Sequence, residues 1–168
     1  QESWDHSFNE NMKAIGWCAK TKNAISLSVK MTALISLEIL QKKQDNQALT
    51  NAEEGAYDTF KHRIDQLSVE AKKAGIALYY DAEESWIQEE IDHLVNDLMK
   101  LHNKESATVF NTYQIYRRDK LQEFKNNVNK AAVEGYIVGA KLVRGAYVVK
   151  EARYAEKHQT PNPLHDNK

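Results

Sequence analysis

The sequence predicts an α/β fold in which parallel strands alternate with helices, as part of a (β/α)8 barrel of the TIM type. Three observations carry this. Strand-like runs opening at Ile76, Ala107 and Tyr136 lie about 30 residues apart with one helical pattern between each pair, the repeat length of a βα unit. Two of the helical patterns stop at Gly75 and Gly135, the residue type suited to a helix C-terminus. No Gly-x-Gly-x-x-Gly follows a strand and no Walker loop is present, so a Rossmann dinucleotide site lacks its fingerprint. A closed barrel needs ~250 residues. The 168 residues here are read as one partial barrel spanning 1–168, with no internal domain boundary. Half a barrel leaves two sheet edges unpaired, and the chain opens on Gln1 instead of Met. The expectation is therefore a piece of a longer protein.

Composition narrows the function. With 42% hydrophobic and 28% charged residues and a formal net charge of −1, the chain has ordinary globular composition. Near-neutral charge argues against a nucleic-acid partner held by a basic surface. A single cysteine, Cys18, excludes an internal disulfide, and no Cys/His spacing suggests a structural metal site. No apolar run approaches the ~20 residues of a membrane span.

In chain order, Asp5 to Lys20 reads as an amphipathic helix with Phe8, Met12, Ile15 and Ala19 on one stripe and Asp5 or Ser7 as N-cap. Ile25 to Thr32 alternates with period two, which makes it a strand with Ser26, Ser28, Lys30 and Thr32 on one face. A half-exposed strand with Lys30 in water would show the same pattern. Ile35 to Gln44 is a short helix. Thr50 and Glu53 form a capping box opening a long helix with Tyr57, Phe60, Ile64, Leu67 and Ala71 on its stripe.

Ile76 to Tyr80 is the second strand. Ser85 and Gln88 suggest a second capping box, followed by the stripe Ile87, Ile91, Leu94, Leu98 and Leu101. Glu83 and Glu84 at this turn complement the helix dipole, whereas Asp81 shares the Ala77/Tyr79 face and points along the strand end. Ala107 to Gln114 is the third strand, and Arg117 to Glu134 a helix with Leu121, Phe124, Val128 and Ala131 buried. The fourth strand, from Tyr136, puts Gly139, Lys141, Val143 and Gly145 on one face and Ala140, Leu142 and Arg144 on the other. The two glycines on the Lys141 face leave room for a flat ligand. Val148 to His158 is helical and stops before Thr160-Pro161-Asn162-Pro163.

In a parallel barrel the strand ends converge at one mouth. Here they carry Lys30, Asp81, Gln114, Lys141 and Arg144. There is no Ser/His pair, His cluster or pair of close acids among them, so triad, metal-assisted and two-acid chemistry are poorly supported. The six histidines fall on helices or in the tail. Cations and an amide without a nucleophile suit a bound anionic cofactor that performs the chemistry itself.

Val29-Lys30-Met31-Thr32-Ala33-Leu34, Asp81-Ala82-Glu83, Phe110-Asn111-Thr112-Tyr113-Gln114-x-Tyr116 and Gly139-Ala140-Lys141-Leu142-Val143-Arg144-Gly145-Ala146-Tyr147, with Glu151-Ala152-Arg153 following, resemble the proline dehydrogenase family in order and spacing. The resemblance covers nearly the whole chain and implies about strands two to five of a flavin-dependent (β/α)8 barrel. It implies oxidation of L-proline to 1-pyrroline-5-carboxylate by hydride transfer to FAD, with electrons passed to a membrane quinone and the product to pyrroline-5-carboxylate dehydrogenase. On this reading Lys30 pairs with the proline carboxylate and Tyr147 borders the proline pocket. Asp81 and Lys141 are the catalytic residues, and Ala82, Gln114, Lys141, Val143, Arg144, Gly145 and Ala146 contact the flavin. The implied location is cytoplasmic, peripheral on the inner membrane in a bacterium, or on the matrix side in a mitochondrion.

Lys141 stands where many members carry Arg, which keeps the charge and loses the planar fork. The family's Arg-Arg pair that clamps the carboxylate, and the part that holds the adenine end, are absent from these residues. The chemistry agrees: a buried carboxylate needs a cation, and a cation near the ring stabilises charge that builds on reduction. Two other readings stay open. One is a Schiff-base or phosphate-binding barrel enzyme using Lys30 or Lys141; the other is a non-catalytic barrel fragment.

Overall fold

The computed structural model describes residues 2–21 and 23–166; Gln1 and the end of the tail, Asn167 and Lys168, lie outside them. Helix α1 (Glu2–Lys20) leads into strand β1 (Ser26–Val29), a 3-10 turn (Met31–Ala33) and α2 (Leu37–Gln44). There follow α3 (Asn51–Ala74), β2 (Ala77–Tyr80), α4 (Ser85–His102), β3 (Val109–Gln114), α5 (Lys120–Glu134), β4 (Ala140–Val143) and α6 (Val148–His158). The strands form one parallel sheet in sequence order, β1-β2-β3-β4. Val29 sits opposite Tyr80, Tyr80 opposite Asn111, and Asn111 opposite Ala140. The sheet is open, with β1 and β4 each paired on one side among the described residues.

The core fills the helix-facing side of the sheet. Val29, Leu78, Tyr80 and Val109 pack there with Phe60, Ile64, Leu67, Ile91 and Val95. Tyr80 is fully buried, and its hydroxyl donates to the Ile64 carbonyl of α3 at 2.8 Å. Helix α3 opens on the expected capping box, with Glu53 N donating to Thr50 Oγ1 at 3.3 Å and Thr50 N to Glu53 Oε2 at 2.8 Å. It closes on Gly75, whose φ of +67° is the left-handed C-cap. No described helix is long and apolar enough to cross a membrane.

Several local expectations are corrected. Helix α1 already runs from Glu2, so Asp5 and Ser7 lie inside it and neither is its cap. The alternation of β1 stops at Val29: Met31 and Thr32 turn into the 3-10 segment, which removes Thr32 from the Lys30 strand face. Ser85 does not cap α4. The N-cap is Glu84, without a side-chain cap bond, and Ser85 instead donates through N and Oγ to the Glu151 carboxylate at 2.7 and 2.6 Å. The predicted stripe of α5 holds in part: Ala131 is buried and Phe124 packs edge-on against Tyr113, whereas Leu121 and Val128 are exposed and Lys120 is buried in their stead. Lys120 lies on the same inward side as Phe124 and Ala131, where it pairs with Asp92 of α4 at 2.5 Å and with Glu123 at 2.6 Å. Leu101 is likewise exposed, while His102 beside it is buried against Asp65.

Gly139 also differs from expectation. A Cβ there would stand 2.3 Å from the Val109 carbonyl oxygen and 2.8 Å from the Phe110 ring. The room at this glycine is taken by the Val109 carbonyl and Phe110 of β3 and is not left for a ligand.

Candidate active site

The C-terminal ends of the strands enclose a cavity of about 340 Å³, within the range of small-molecule sites. Strand alternation places its wall: Thr112 and Gln114 of β3 face inward, with Lys141 and Val143 of β4 in register beside them. Lys30 and Asp81 follow the last residues of β1 and β2 and complete the mouth, and Ala82, Ala146 and Tyr147 come from the turns behind them. The structure thus brings together Lys30, Asp81, Ala82, Gln114, Lys141, Val143, Ala146 and Tyr147 from four successive βα units.

Two candidates stand outside this wall. Arg144 lines a second cavity with Tyr116, Val148 and His165, on the side opposite Lys141 that alternation gives it. Gly145 lines neither cavity; a Cβ there would meet only Val148 Cγ2, at 3.7 Å. Thr112 is the wall residue that sequence reasoning did not single out. Its signal was its place two residues before Gln114 on the same strand face.

The charges are arranged asymmetrically. Lys141 Nζ is 2.6 Å from Asp81 Oδ1 and 5.8 Å from the centre of the Tyr79 ring. Lys30 has no carboxylate within ion-pairing distance among the described residues; its Nζ donates to Tyr147 Oη at 3.4 Å. That bond is the main cause that raises the Lys30 pKa above the ordinary lysine value, and the Glu83 and Asp81 carboxylates add to it. Lys30 therefore offers a full positive charge, unmatched by an adjacent acid, to an anion entering the cavity.

Hydrogen bonds fix the inner wall. Gln114 is fully buried, and its Nε2 donates to the Glu83 carbonyl at 2.7 Å and to Tyr116 Oη at 2.9 Å. Tyr116 Oη also accepts from Tyr147 N at 3.3 Å, so one phenol links the amide on β3 to the turn before α6. Helix α6 is docked by Glu151 on Ser85, by Lys150 on Glu84 at 2.6 Å, and by the stack of Trp86 on Tyr154 with centroids 3.9 Å apart. Sequence reasoning assigned Glu83 and Glu84 to the helix dipole. Their carboxylates instead bind Thr32 and Lys150.

The donor set fits a flat cofactor with a polar edge. Ala82, Val143 and Ala146 give low apolar walls, and the Thr112 hydroxyl is buried without a hydrogen-bond partner among the described residues. An unmet buried hydroxyl is costly, and beside Gln114 it marks a polar strip in the wall.

The family model described as proline dehydrogenase matches residues 1–168. The chain belongs to the proline dehydrogenase family. It is 33% identical over 168 residues to a probable mitochondrial proline dehydrogenase of Schizosaccharomyces pombe, covering 89% of this chain and 34% of that protein. It is 39% identical over 108 residues to the mitochondrial proline dehydrogenase 1 of Homo sapiens, covering 64% of this chain and 18% of that protein. The chain therefore spans about a third or less of the length of these relatives. Among solved structures, proline utilization A of Bdellovibrio bacteriovorus, inactivated by N-propargylglycine, superposes with a TM-score of 0.82 over 99% of this chain and 18% of its own, at 22% identity. At that identity the likeness establishes the fold alone, the barrel-type βα arrangement.

Proposed function

We propose that the protein of which this chain forms part oxidises L-proline to 1-pyrroline-5-carboxylate with FAD as the immediate electron acceptor. The observation that carries this reading is Lys30, an ammonium without a carboxylate partner among the described residues, at the mouth of a cavity that also holds an amide and the Lys141–Asp81 pair. Family membership supports the substrate. A membrane quinone is the proposed final acceptor, and pyrroline-5-carboxylate dehydrogenase the proposed consumer of the product.

Lys30 pairs with the carboxylate of proline, and Tyr147 closes the substrate side. Ala82, Gln114, Val143 and Ala146 hold the flavin ring. Arg144 and Gly145 stand outside this wall, and their proposed flavin contact rests on the family resemblance alone. A flavin bound there would supply the two-electron acceptor for hydride transfer from proline C5. Lys141 puts a positive charge beside the region where negative charge accumulates during that transfer, and Asp81 holds its ammonium in place.

A Schiff-base role fits less well. It requires a neutral, free amine, whereas the Lys30 pKa is raised and the Lys141 Nζ is engaged by Asp81 Oδ1 at 2.6 Å. The test is spectroscopic: the full-length protein reconstituted with FAD should lose its oxidised-flavin absorption when L-proline is added without oxygen. A protein that takes up no FAD, or whose bound flavin stays oxidised, would sink the proposal.

A further inference from the structure

We propose that Glu83 is a positioning residue for Lys30, a role that rests on the proposed function of the same site. The 3-10 turn Met31–Ala33 follows directly on Lys30, which occupies its N-cap position. A capping side chain ordinarily accepts a hydrogen bond from a backbone N–H in the first turn. Lysine has no acceptor, and Lys30 makes no side-chain cap bond. Glu83 supplies the missing acceptor from the next βα turn: its Oε1 accepts from Thr32 N at 3.0 Å and its Oε2 from Thr32 Oγ1 at 2.5 Å.

The Glu83 residue is only 3% exposed and is itself anchored through its backbone. Its N–H donates to Gln88 Oε1 at 2.6 Å, and its carbonyl accepts from Gln114 Nε2 at 2.7 Å. The carboxylate that holds the Lys30 turn is thereby set at a fixed height relative to the amide on β3. This matters for Lys30 because its long side chain has one hydrogen-bond partner among the described residues, Tyr147 Oη at 3.4 Å. An exposed lysine loses considerable rotamer freedom when it grips a ligand. Fixing its backbone direction restricts the volume its ammonium must search. The Glu83 carboxylate does not line the cavity, and its contact with the wall runs through its backbone carbonyl on Gln114, so the carboxylate acts through the Lys30 turn.

The test uses the full-length protein loaded with FAD and four variants: Glu83→Ala, Thr32→Val, Lys30→Met and the Glu83→Ala/Lys30→Met double variant. Glu83→Ala should raise KM for L-proline about tenfold, as for a weakened charge-assisted contact, with kcat changed by less than about threefold and flavin content unaltered. Thr32→Val, which keeps the backbone and removes one bond, should shift KM in the same direction by a smaller factor. In the Lys30→Met background, Glu83→Ala should leave KM where Lys30→Met alone puts it, because a residue acting through Lys30 has nothing left to act on. Equal factors in both backgrounds, or an unchanged KM in both Glu83→Ala and Thr32→Val with proline oxidation intact, would overturn the positioning role alone. A parent protein that neither oxidises L-proline nor binds a five-membered ring carboxylate would overturn the proposed function and this role with it.

Discussion

Asp81 Oδ1 and Lys141 Nζ meet at 2.6 Å although their strands are not neighbours: the pair joins the end of β2 to β4 across β3. Their side chains are 24% and 35% exposed, so the pair adds little to stability, about 1 kcal/mol at most. Its consequence is the fixed place of the ammonium. Lys141→Met should lower kcat for proline oxidation roughly 10- to 100-fold, with a smaller change in KM, as when one charge-stabilising group is removed. Steady-state kinetics with a dye acceptor would measure it, and equal loss in KM would assign Lys141 to substrate binding instead.

Lys30→Met should have the opposite signature. KM for L-proline should rise roughly 10- to 150-fold, the worth of about 1.5–3 kcal/mol, while flavin content stays unchanged. Because the Lys30 pKa is raised, the residue stays charged through neutrality and loses its proton only above the ordinary lysine range. Proline binding should therefore show no Lys30-dependent change between about pH 6 and 9. An unaltered KM in the variant would make Lys30 a solvated strand-end residue.

A pH-dependent stability term is located at Glu123. Burial and the nearby Asp92 carboxylate push its pKa from 4.5 up to about 7, against the pull of Lys120. The folded state thus holds a proton that the unfolded chain releases near 4.5, so the stabilisation is complete below that pH and is lost as pH rises through about 7. Urea unfolding at a series of pH values should show a fall of about 1–3 kcal/mol across this window that Glu123→Gln removes. A profile identical in the variant would locate the titration elsewhere.

Asn103 fastens the N-terminal ends of β3 and β4 to the end of α4. It is fully buried, accepts from Thr108 N and Val109 N at 2.9 Å, and donates to the Val109 and Ile137 carbonyls at 2.8 and 3.0 Å. Asn103→Ala leaves those backbone groups unmet and should cost about 2–4 kcal/mol of unfolding free energy. A loss below about 0.5 kcal/mol would mean that water replaces the amide.

Residues 1–168 expressed alone should associate as concentration rises and lose FAD on gel filtration. Among the described residues both outer strands are paired on one side only, and Leu142 on the helix-facing side of β4 is 58% exposed. Such edges and patches recruit further chains. A monomer that elutes with flavin would show that the four βα units are self-sufficient.

What the sequence determined by itself was whatever depends on near neighbours along the chain. The Thr50–Glu53 capping box and the Gly75 and Gly135 helix ends involve residues within one turn of each other. Strand alternation aimed Asp81, Gln114, Lys141 and Val143 into one cavity, and the matched motifs added Ala82, Ala146 and Tyr147. Tertiary structure decided the partners. Near-neighbour logic made Glu83 a dipole complement, yet its carboxylate binds Thr32, 51 positions away. Lys120 lay off the predicted stripe of α5, yet it is buried against Asp92 of α4 while Leu121 and Val128 are exposed. Gly139 looked like ligand space until the Val109 carbonyl and Phe110 occupied it. Local pattern governs backbone form and the side a residue faces, whereas burial of a charge or a ring depends on what the fold brings against it, because burial is favourable only where a partner satisfies it.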